Sequence, residues 1–216
     1  GCKTAALNHE VFDDAVKNDF TNYVKVGYAF GNGFRVYGDL QVRNIYYSFA
    51  GYDRNLNATD QTAQYTFVNP KAGVSYQAAK SDFLYVSYGK SQREPVRDDF
   101  VNSTPDSRPK PEVLHNLELG WRHTGEKLTA SVNGYYMYYR NQLILTGKIN
   151  DVGAYIRSNV ASSYRAGIEM EAAYAILPTF SIGGNLTLSD NQISEYSYFL
   201  DNYDTGEQNG TVFKNT

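Results

Sequence analysis

Side-chain character alternates with a period of two over stretches of about ten residues, repeatedly along this chain, and that pattern excludes most architectures at once. In residues 128–139, Leu128, Ala130, Val132, Gly134, Tyr136 and Tyr138 fall on one face and Thr129, Ser131, Asn133, Tyr135, Met137 and Tyr139 on the other. A strand sends successive Cβ atoms to opposite sides, so the split describes a strand with two unlike faces. Residues 34–43 divide likewise, Phe34, Val36, Gly38, Leu40 and Val42 against Arg35, Tyr37, Asp39, Gln41 and Arg43. So do residues 180–189, with Phe180, Ile182, Gly184, Leu186 and Leu188 on the apolar side. Leu117, Leu119 and Trp121 oppose Asn116, Glu118, Gly120 and Arg122, and Ile168, Met170, Ala172 and Tyr174 oppose Gly167, Glu169, Glu171 and Ala173. Less regular versions run through FTNYVKVGYAF, FVNPKAGVSYQ and FLYVSYGK, which brings the expectation to eight strands.

The connections alternate in length. Short links are expected at Gly31-Asn32-Gly33, from Ala79 to Asp82, from Thr124 to Lys127 and from Leu177 to Thr179. Each carries turn-forming residues. Longer links fall at about residues 50–64, 93–112 and 147–154, and the tail beyond about 194 reads as another. Pro95, Pro105, Pro109 and Pro111 keep the 93–112 link from being a helix. Short turns at one end and long loops at the other describe an antiparallel up-and-down transmembrane β-barrel, turns periplasmic and loops extracellular. An antiparallel sheet in water with one core-facing side shows the same alternation. Three features favour the membrane. The apolar faces include Gly and Ala, which contribute little to a packed core; several strands reach 12 or more residues; and Tyr46, Tyr47, Tyr136, Tyr138 and Tyr139 gather where strands approach loops. The composition agrees, since 20 Tyr and 11 Phe stand beside one Trp. A tyrosine ring suits the apolar edge of a bilayer while its hydroxyl reaches water.

No run is long and apolar enough for a transmembrane helix, which leaves strands untouched. The net charge of -3 and the lack of a Lys/Arg cluster argue against a nucleic-acid partner. Cys2 is the only cysteine, so no disulfide closes within the chain. His115 and His123 share a strand face but lie eight residues, roughly 25 Å, apart, too far to share a metal ion. They flank Leu117, Leu119 and Trp121, which places His115, Trp121 and His123, with Tyr136 and Tyr138, at the membrane interfaces. No motif supports a catalytic triad, and Glu169 and Glu171 are adjacent positions of one strand face, where polar residues are expected in a barrel lumen. The expectation is therefore no enzyme, no catalytic residues, no metal and no cofactor.

The run RPKPEVLHNLELGWRHTGEKLTASVNGYYMYYRNQLI, residues 108–144, resembles the late-barrel region of TonB-dependent outer-membrane receptors. It carries Lys110-Pro111-Glu112 at a loop exit, Glu118-Leu119-Gly120 in the next strand, a tight turn, and an aromatic strand with an Asn near its end, Tyr135 to Asn141; Gly167-Ile168-Glu169-Met170-Glu171 follows. With FVNPKAGVSYQ, FLYVSYGKSQREP and YGDLQVRNIYY, the likeness covers roughly residues 20–190. It implies about eight strands of a barrel of about 22, a plug domain in the same parent chain, contact with the TonB complex through an amino-terminal part, and a bacterial outer-membrane location. Neither the plug nor a TonB-engaging segment has a counterpart here, and the chain stops at Phe213-Lys214-Asn215-Thr216 without an aromatic-ended closing strand. The expected layout is a loop or fragment-boundary segment over 1–19, barrel strands over 20–193, and an extracellular loop over 194–216 that stops before the closing strands.

The implied activity is uptake of a scarce small nutrient such as a ferric siderophore or cobalamin. The alternatives are a self-contained structural or adhesive eight-stranded outer-membrane barrel and a soluble antiparallel β binding protein. Lys25, Arg35, Asp39, Arg43, Lys71, Glu118, Arg122, Glu169 and Glu171 gather on the inward faces, as a hydrated lumen or plug-facing wall requires. Arg93, Arg97, Asp98, Asp99 and Arg108 lie in the long 93–112 loop and are the candidate substrate contacts, because arginine forks match anionic ligands. The identity of the ligand is not written in these residues.

Overall fold

The computed structural model describes residues 14–51, 60–96, 99–100, 108–149, 155–202 and 207–216. Eight strands run up and down in chain order: β1 (Asp14–Ala29), β2 (Phe34–Ala50), β3 (Gln61–Gln77), β4 (Asp82–Arg93), β5 (Glu112–Thr124), β6 (Leu128–Ile149), β7 (Tyr155–Leu177) and β8 (Phe180–Ile193). They form one antiparallel sheet in the order β1 to β8, and among the described residues β1 pairs only with β2 and β8 only with β7. The sheet is open, so these strands do not close into a barrel by themselves. A separate hairpin follows, β9 (Glu195–Asn202) with β10 (Glu207–Lys214). It lies in the tail, where Tyr196 donates to the Leu145 carbonyl at 2.8 Å. β1 begins at Asp14, ahead of the expected boundary near residue 20.

The short turns fall at the expected places. Asn32 and Gly33 both have positive φ, 66° and 83°, and a Cβ on Gly33 would sit 2.8 Å from the Gln77 carbonyl oxygen. Glycine is needed there for both reasons. Gln77 N–H donates to the Gly33 carbonyl at 2.9 Å, which ties the end of β3 to the first turn.

Directly paired residues of an antiparallel ladder share a face, so the register assigns every side. One row runs Lys25, Asp39, Lys71, Gly89, Asn116, Met137, Arg165, Asn191. All nine charged residues expected to face inward lie on this polar side. The other side carries Val26, Leu40, Val74, Val86, Leu119, Val132, Ile168, Leu186 and Leu188, and these remain exposed, Leu119 by 57% and Leu188 by 57%. Large apolar side chains in a continuous exposed sheet face require a non-aqueous neighbour.

The apolar stretch is not level with the ladder rows. It is centred on Gly38 in β2 (Phe34 to Val42) and on Gly184 in β8 (Phe180 to Leu188). Following the pairing from Gly38 through Ala72, Tyr88, Leu117, Tyr136 and Ala166 arrives at Asp190, six residues past Gly184. Six residues are roughly 20 Å along a strand, and six strand spacings are roughly 29 Å across. The strands therefore lean roughly 35° from the normal of a flat apolar slab, the tilt of strands that span a bilayer in a barrel.

Three tyrosines of the polar face lie across the glycine paired directly opposite: Tyr37 over Gly73, Tyr85 over Gly120 and Tyr135 over Gly167. A Cβ on Gly120 would meet the Tyr85 ring at 2.5 Å and no backbone atom among its three nearest neighbours. Gly120→Val should therefore destabilise the refolded full-length protein by about 1–3 kcal/mol in urea titration, as overpacking does. Adding Tyr85→Ala should recover part of that loss, and simple additivity of the two would sink the explanation.

Candidate functional site

The tightest packing lies on the polar face at its loop end, where the alternation reverses phase. Below Asn44, β2 places apolar residues on even positions; above it the odd positions Ile45, Tyr47 and Phe49 are apolar, and β3 matches with Ala63, Tyr65 and Phe67. Ile45, Phe49 and Phe67 are each 3% exposed. The described part of the β4–β5 link folds over them. Phe100, fully buried, sits 5.7 Å from the Tyr47 ring and 5.8 Å from the Phe49 ring. Its carbonyl accepts from Gln61 Nε2 at 2.9 Å.

The register of β3 and β4 makes room for this. Their ladder runs from Lys71–Gly89 down to Gln77–Phe83 and ends one residue short of Pro70. Proline has no N–H to give to a neighbouring strand. β3 continues upward to Gln61, paired there with β2 alone. β4 continues upward paired with β5.

Glu94, just beyond β4, anchors the link. Its carboxylate accepts from Lys17 Nζ at 2.8 Å and from Arg43 Nη1 at 3.0 Å and Nη2 at 3.1 Å. Arg43 also donates to Asp19 from Nε and Nη2, so one guanidinium joins β1, β2 and the link. Burial pushes the Glu94 carboxyl upward, but the hydrogen bond from Lys17 and the charges of Arg43 and Lys17 outweigh it and hold the group below the ordinary glutamate range.

The expected substrate contacts occupy different places. Asp99 is buried, accepts from the Val96 N–H at 2.8 Å and lies 3.9 Å from Arg157 of β7. Arg108 donates to the Thr62 carbonyl and to Gln61 Oε1, both at 2.9 Å, with its guanidinium 5.2 Å from the Phe100 ring centre. Arg93 is exposed and bonded across the strand pair to Glu112 at 3.3 Å. Arg97 and Asp98 lie outside the described residues. The structure thus brings Asp99 and Arg108 together around Phe100 and sets Arg93 apart. Glu94, Arg43, Lys17 and Phe100 were missed as a unit. The phase inversion at Asn44 was the signal that could have found it.

Lower on the polar face, Lys25 lies 4.0 Å from Asp39 and 5.5 Å from the Tyr37 ring centre. Asn116 donates to Glu118 at 2.6 Å, and Tyr85 donates to Asn133, whose amide reaches Glu169 at 3.4 Å. Among the described residues Arg35, Lys71, Arg122 and Glu171 form no ion pair, and no group of His, Cys, Asp and Glu could hold a metal ion. On the outward face Trp121 Nε1 and His123 Nδ1 both meet Asp82 Oδ1 at 3.0 Å. At the loop end Tyr88 bonds His115 at 2.7 Å, and the His115 and Tyr138 ring centres are 6.3 Å apart. Tyr136 stacks on Tyr164 with ring centres 5.8 Å apart.

Two unlike faces and a tilted apolar band with aromatic residues near its edges are features of a membrane barrel wall, and comparison with known proteins agrees. The family described as TonB dependent receptor-like, beta-barrel matches residues 5–216. The chain belongs to this family. No curated protein matches the sequence. Among solved structures, copper transporter OprC is similar over 84% of this chain and 30% of its own, at 18% identity and TM-score 0.72. The ferric-catecholate import receptor Fiu from Escherichia coli K12 is similar over 93% and 32%, at 16% identity and TM-score 0.67. The siderophore receptor PiuA from Acinetobacter baumannii is similar over 91% and 28%, at 15% identity and TM-score 0.68. At these identities the likeness is one of fold. The chain spans about a third of the length of these structures, and its strands are a segment of the family's barrel wall.

The Glu94 anchor makes a prediction for the full-length protein. Glu94→Ala removes charged hydrogen bonds that typically contribute about 1.5–3 kcal/mol each. Amide exchange at Val96 and Asp99 should accelerate at least tenfold while β5 and β6 keep their protection. Because the carboxyl is held low in the folded state, its contribution is complete above the ordinary glutamate range and is lost as pH falls through the lowered native value. Protection of this segment, relative to the intrinsic exchange rate at each pH, that does not fall over that acid range would contradict the anchor.

Proposed function

We propose that this chain is part of the wall of a bacterial outer-membrane receptor that captures a scarce small nutrient, a ferric siderophore or cobalamin, and imports it by TonB-coupled movement of a plug. The tilt of the apolar band is the observation that carries the reading. An apolar slab that is exposed on one face of the sheet and crosses it obliquely suits a barrel wall in a lipid bilayer, with the apolar side turned outward and the polar side inward. Family membership then selects receptors over other barrels. The sheet is open at β1 and β8, which counts against the self-contained eight-stranded barrel.

In this reading the polar face lines the lumen. Lys25, Arg35, Asp39, Arg43, Lys71, Glu118, Arg122, Glu169 and Glu171 meet a plug domain supplied elsewhere in the parent chain. The buried side-chain oxygens Asp39 Oδ1, Asn69 Oδ1 and Asn116 Oδ1 lack hydrogen-bond partners among the described residues, as a wall awaiting a polar partner would. The long links, including Arg93, Arg97, Asp98, Asp99 and Arg108, lie on the extracellular side, and the apolar rows meet outer-membrane lipid. Residues 1–19 and 194–216 fall outside the spanning region, the latter as an extracellular loop. The wall binds and guides; it breaks no bond in the cargo. Solved neighbours bearing the names of copper, ferric-catecholate and siderophore proteins share this fold, so cargo choice is assigned to the links and the plug.

The test is uptake of radiolabelled ferric chelates and cobalamin by cells expressing the full-length protein, with and without a working TonB system. At least one cargo should accumulate only when both are present. Equal accumulation without TonB, or none for any chelate or cobalamin, would overturn the proposal.

A further inference from the structure

The outward face carries two cations that nothing in the uptake reading uses. Lys90 of β4 is paired directly with His115 of β5, His115 with Tyr138 of β6, and Arg140 stands two residues above Tyr138 on the same face. Two strand spacings and two residues place the Lys90 and Arg140 backbones roughly 12 Å apart. Two long side chains close that gap on a group the size of a phosphate. Among the described residues neither forms an ion pair. Of the outward carboxylates, Asp14 lies on the edge strand and Asp82 at the turn end, while Asp190 of β8, paired directly with Ala166, accepts from the Tyr164 hydroxyl at 2.7 Å.

Directly below the cations the apolar face is grooved. Leu117, Leu119, Tyr136 and Ile168 form its sides, Gly134 and Ala166 its floor, and Leu188 and Asp190 close it on the β8 side. The depression continues past Leu119 and Trp121 toward the turn end. A Cβ on Gly134 would find Leu119 at 3.6 Å, an ordinary contact, so the floor is low for want of a side chain and not because a neighbour fills it.

The geometry points to a binding site for one phosphate-bearing membrane lipid, its headgroup held by Lys90 and Arg140 with the Tyr138 hydroxyl beside them, and one acyl chain lying over Gly134. An anion above an apolar furrow on one continuous face fits an amphiphile and does not fit a free anion, which would leave the furrow unused. The inference rests on the proposal that this face meets a bilayer.

Native mass spectrometry of the full-length protein, in micelles doped with a phosphorylated glycolipid, phosphatidylglycerol or phosphatidylcholine, tests it. The two phosphate-exposing anionic lipids should be retained over phosphatidylcholine. Lys90→Ala with Arg140→Ala should cut that retention roughly thirtyfold, the sum of two cation contributions at a membrane surface. Gly134→Leu should weaken it with both cations intact, Lys127→Ala in the β5–β6 turn should leave it unchanged, and excess inorganic phosphate should not displace the lipid. Retention insensitive to the double substitution, equal retention of phosphatidylcholine, or displacement by inorganic phosphate overturns the site. Heat-modifiable gel mobility and uptake, scored on the same preparations, separate the two readings: an inserted, importing protein without lipid preference overturns the lipid site alone, and failure of the unaltered protein to insert overturns both.

Discussion

The structure depends on one constraint: a strand has only two sides, and this chain makes them incompatible. Leu117, Leu119 and Trp121 alternate with Asn116, Glu118 and Arg122, so no rotation of β5 satisfies a single solvent. Pairing with a neighbour in register extends the incompatibility across eight strands, because a slip of one residue would bring charge to the apolar side everywhere at once. Backbone hydrogen bonding and the segregation of environments are thus enforced by the same ladder. Tilt follows from it as well, since the apolar residues of successive strands stay level with a slab only if the strands cross it obliquely.

Beyond the slab the constraint relaxes and the chain uses its two sides differently. Above Asn44 the inward positions of β2 and β3 become Ile45, Tyr47, Phe49, Ala63 and Tyr65, with Phe67 just below beside Arg43, while Thr66 and Asn44 hydrogen bond on the outside at 3.0 Å. The outward positions there are Tyr46, Ser48, Thr62 and Gln64, so polarity exchanges faces. A carboxylate on the link, Glu94, then reaches two cations on two strands and aligns Phe100 with the aromatic patch. Charge locates the segment, and apolar burial holds it.

Most of this wall was legible in the residues. The eight strands, the four short turns and the sidedness of every charged position expected inward follow from period-two patterning and turn chemistry, which are local properties. The family resemblance carried by Glu118-Leu119-Gly120 and by Gly167 to Glu171 leads to the same barrel. What could not be read was long-range. Glu94 is 77 residues from Lys17 and 51 from Arg43, and nothing near it in the chain announces either partner. The β9–β10 hairpin escaped notice because its strands are only eight residues each and lie in a polar tail. The phase inversion at Asn44 was visible, but it reads as a fading strand until a covering segment is seen.

Pro70 gives the wall a seam. Where every other neighbouring pair in the sheet is laced along most of its length, β3 and β4 are joined only from Lys71 to Gln77. Lateral tension applied across the sheet is shared by few ladder bonds there, and above Lys71 the two sides are held through the link instead, by Glu94 on Lys17 and Arg43 and by Phe100 and Arg108 on Gln61 and Thr62. A shell built this way has a grain: along that line β1–β3 and β4–β8 are two staves, and the link is the clasp that keeps them together at the loop end.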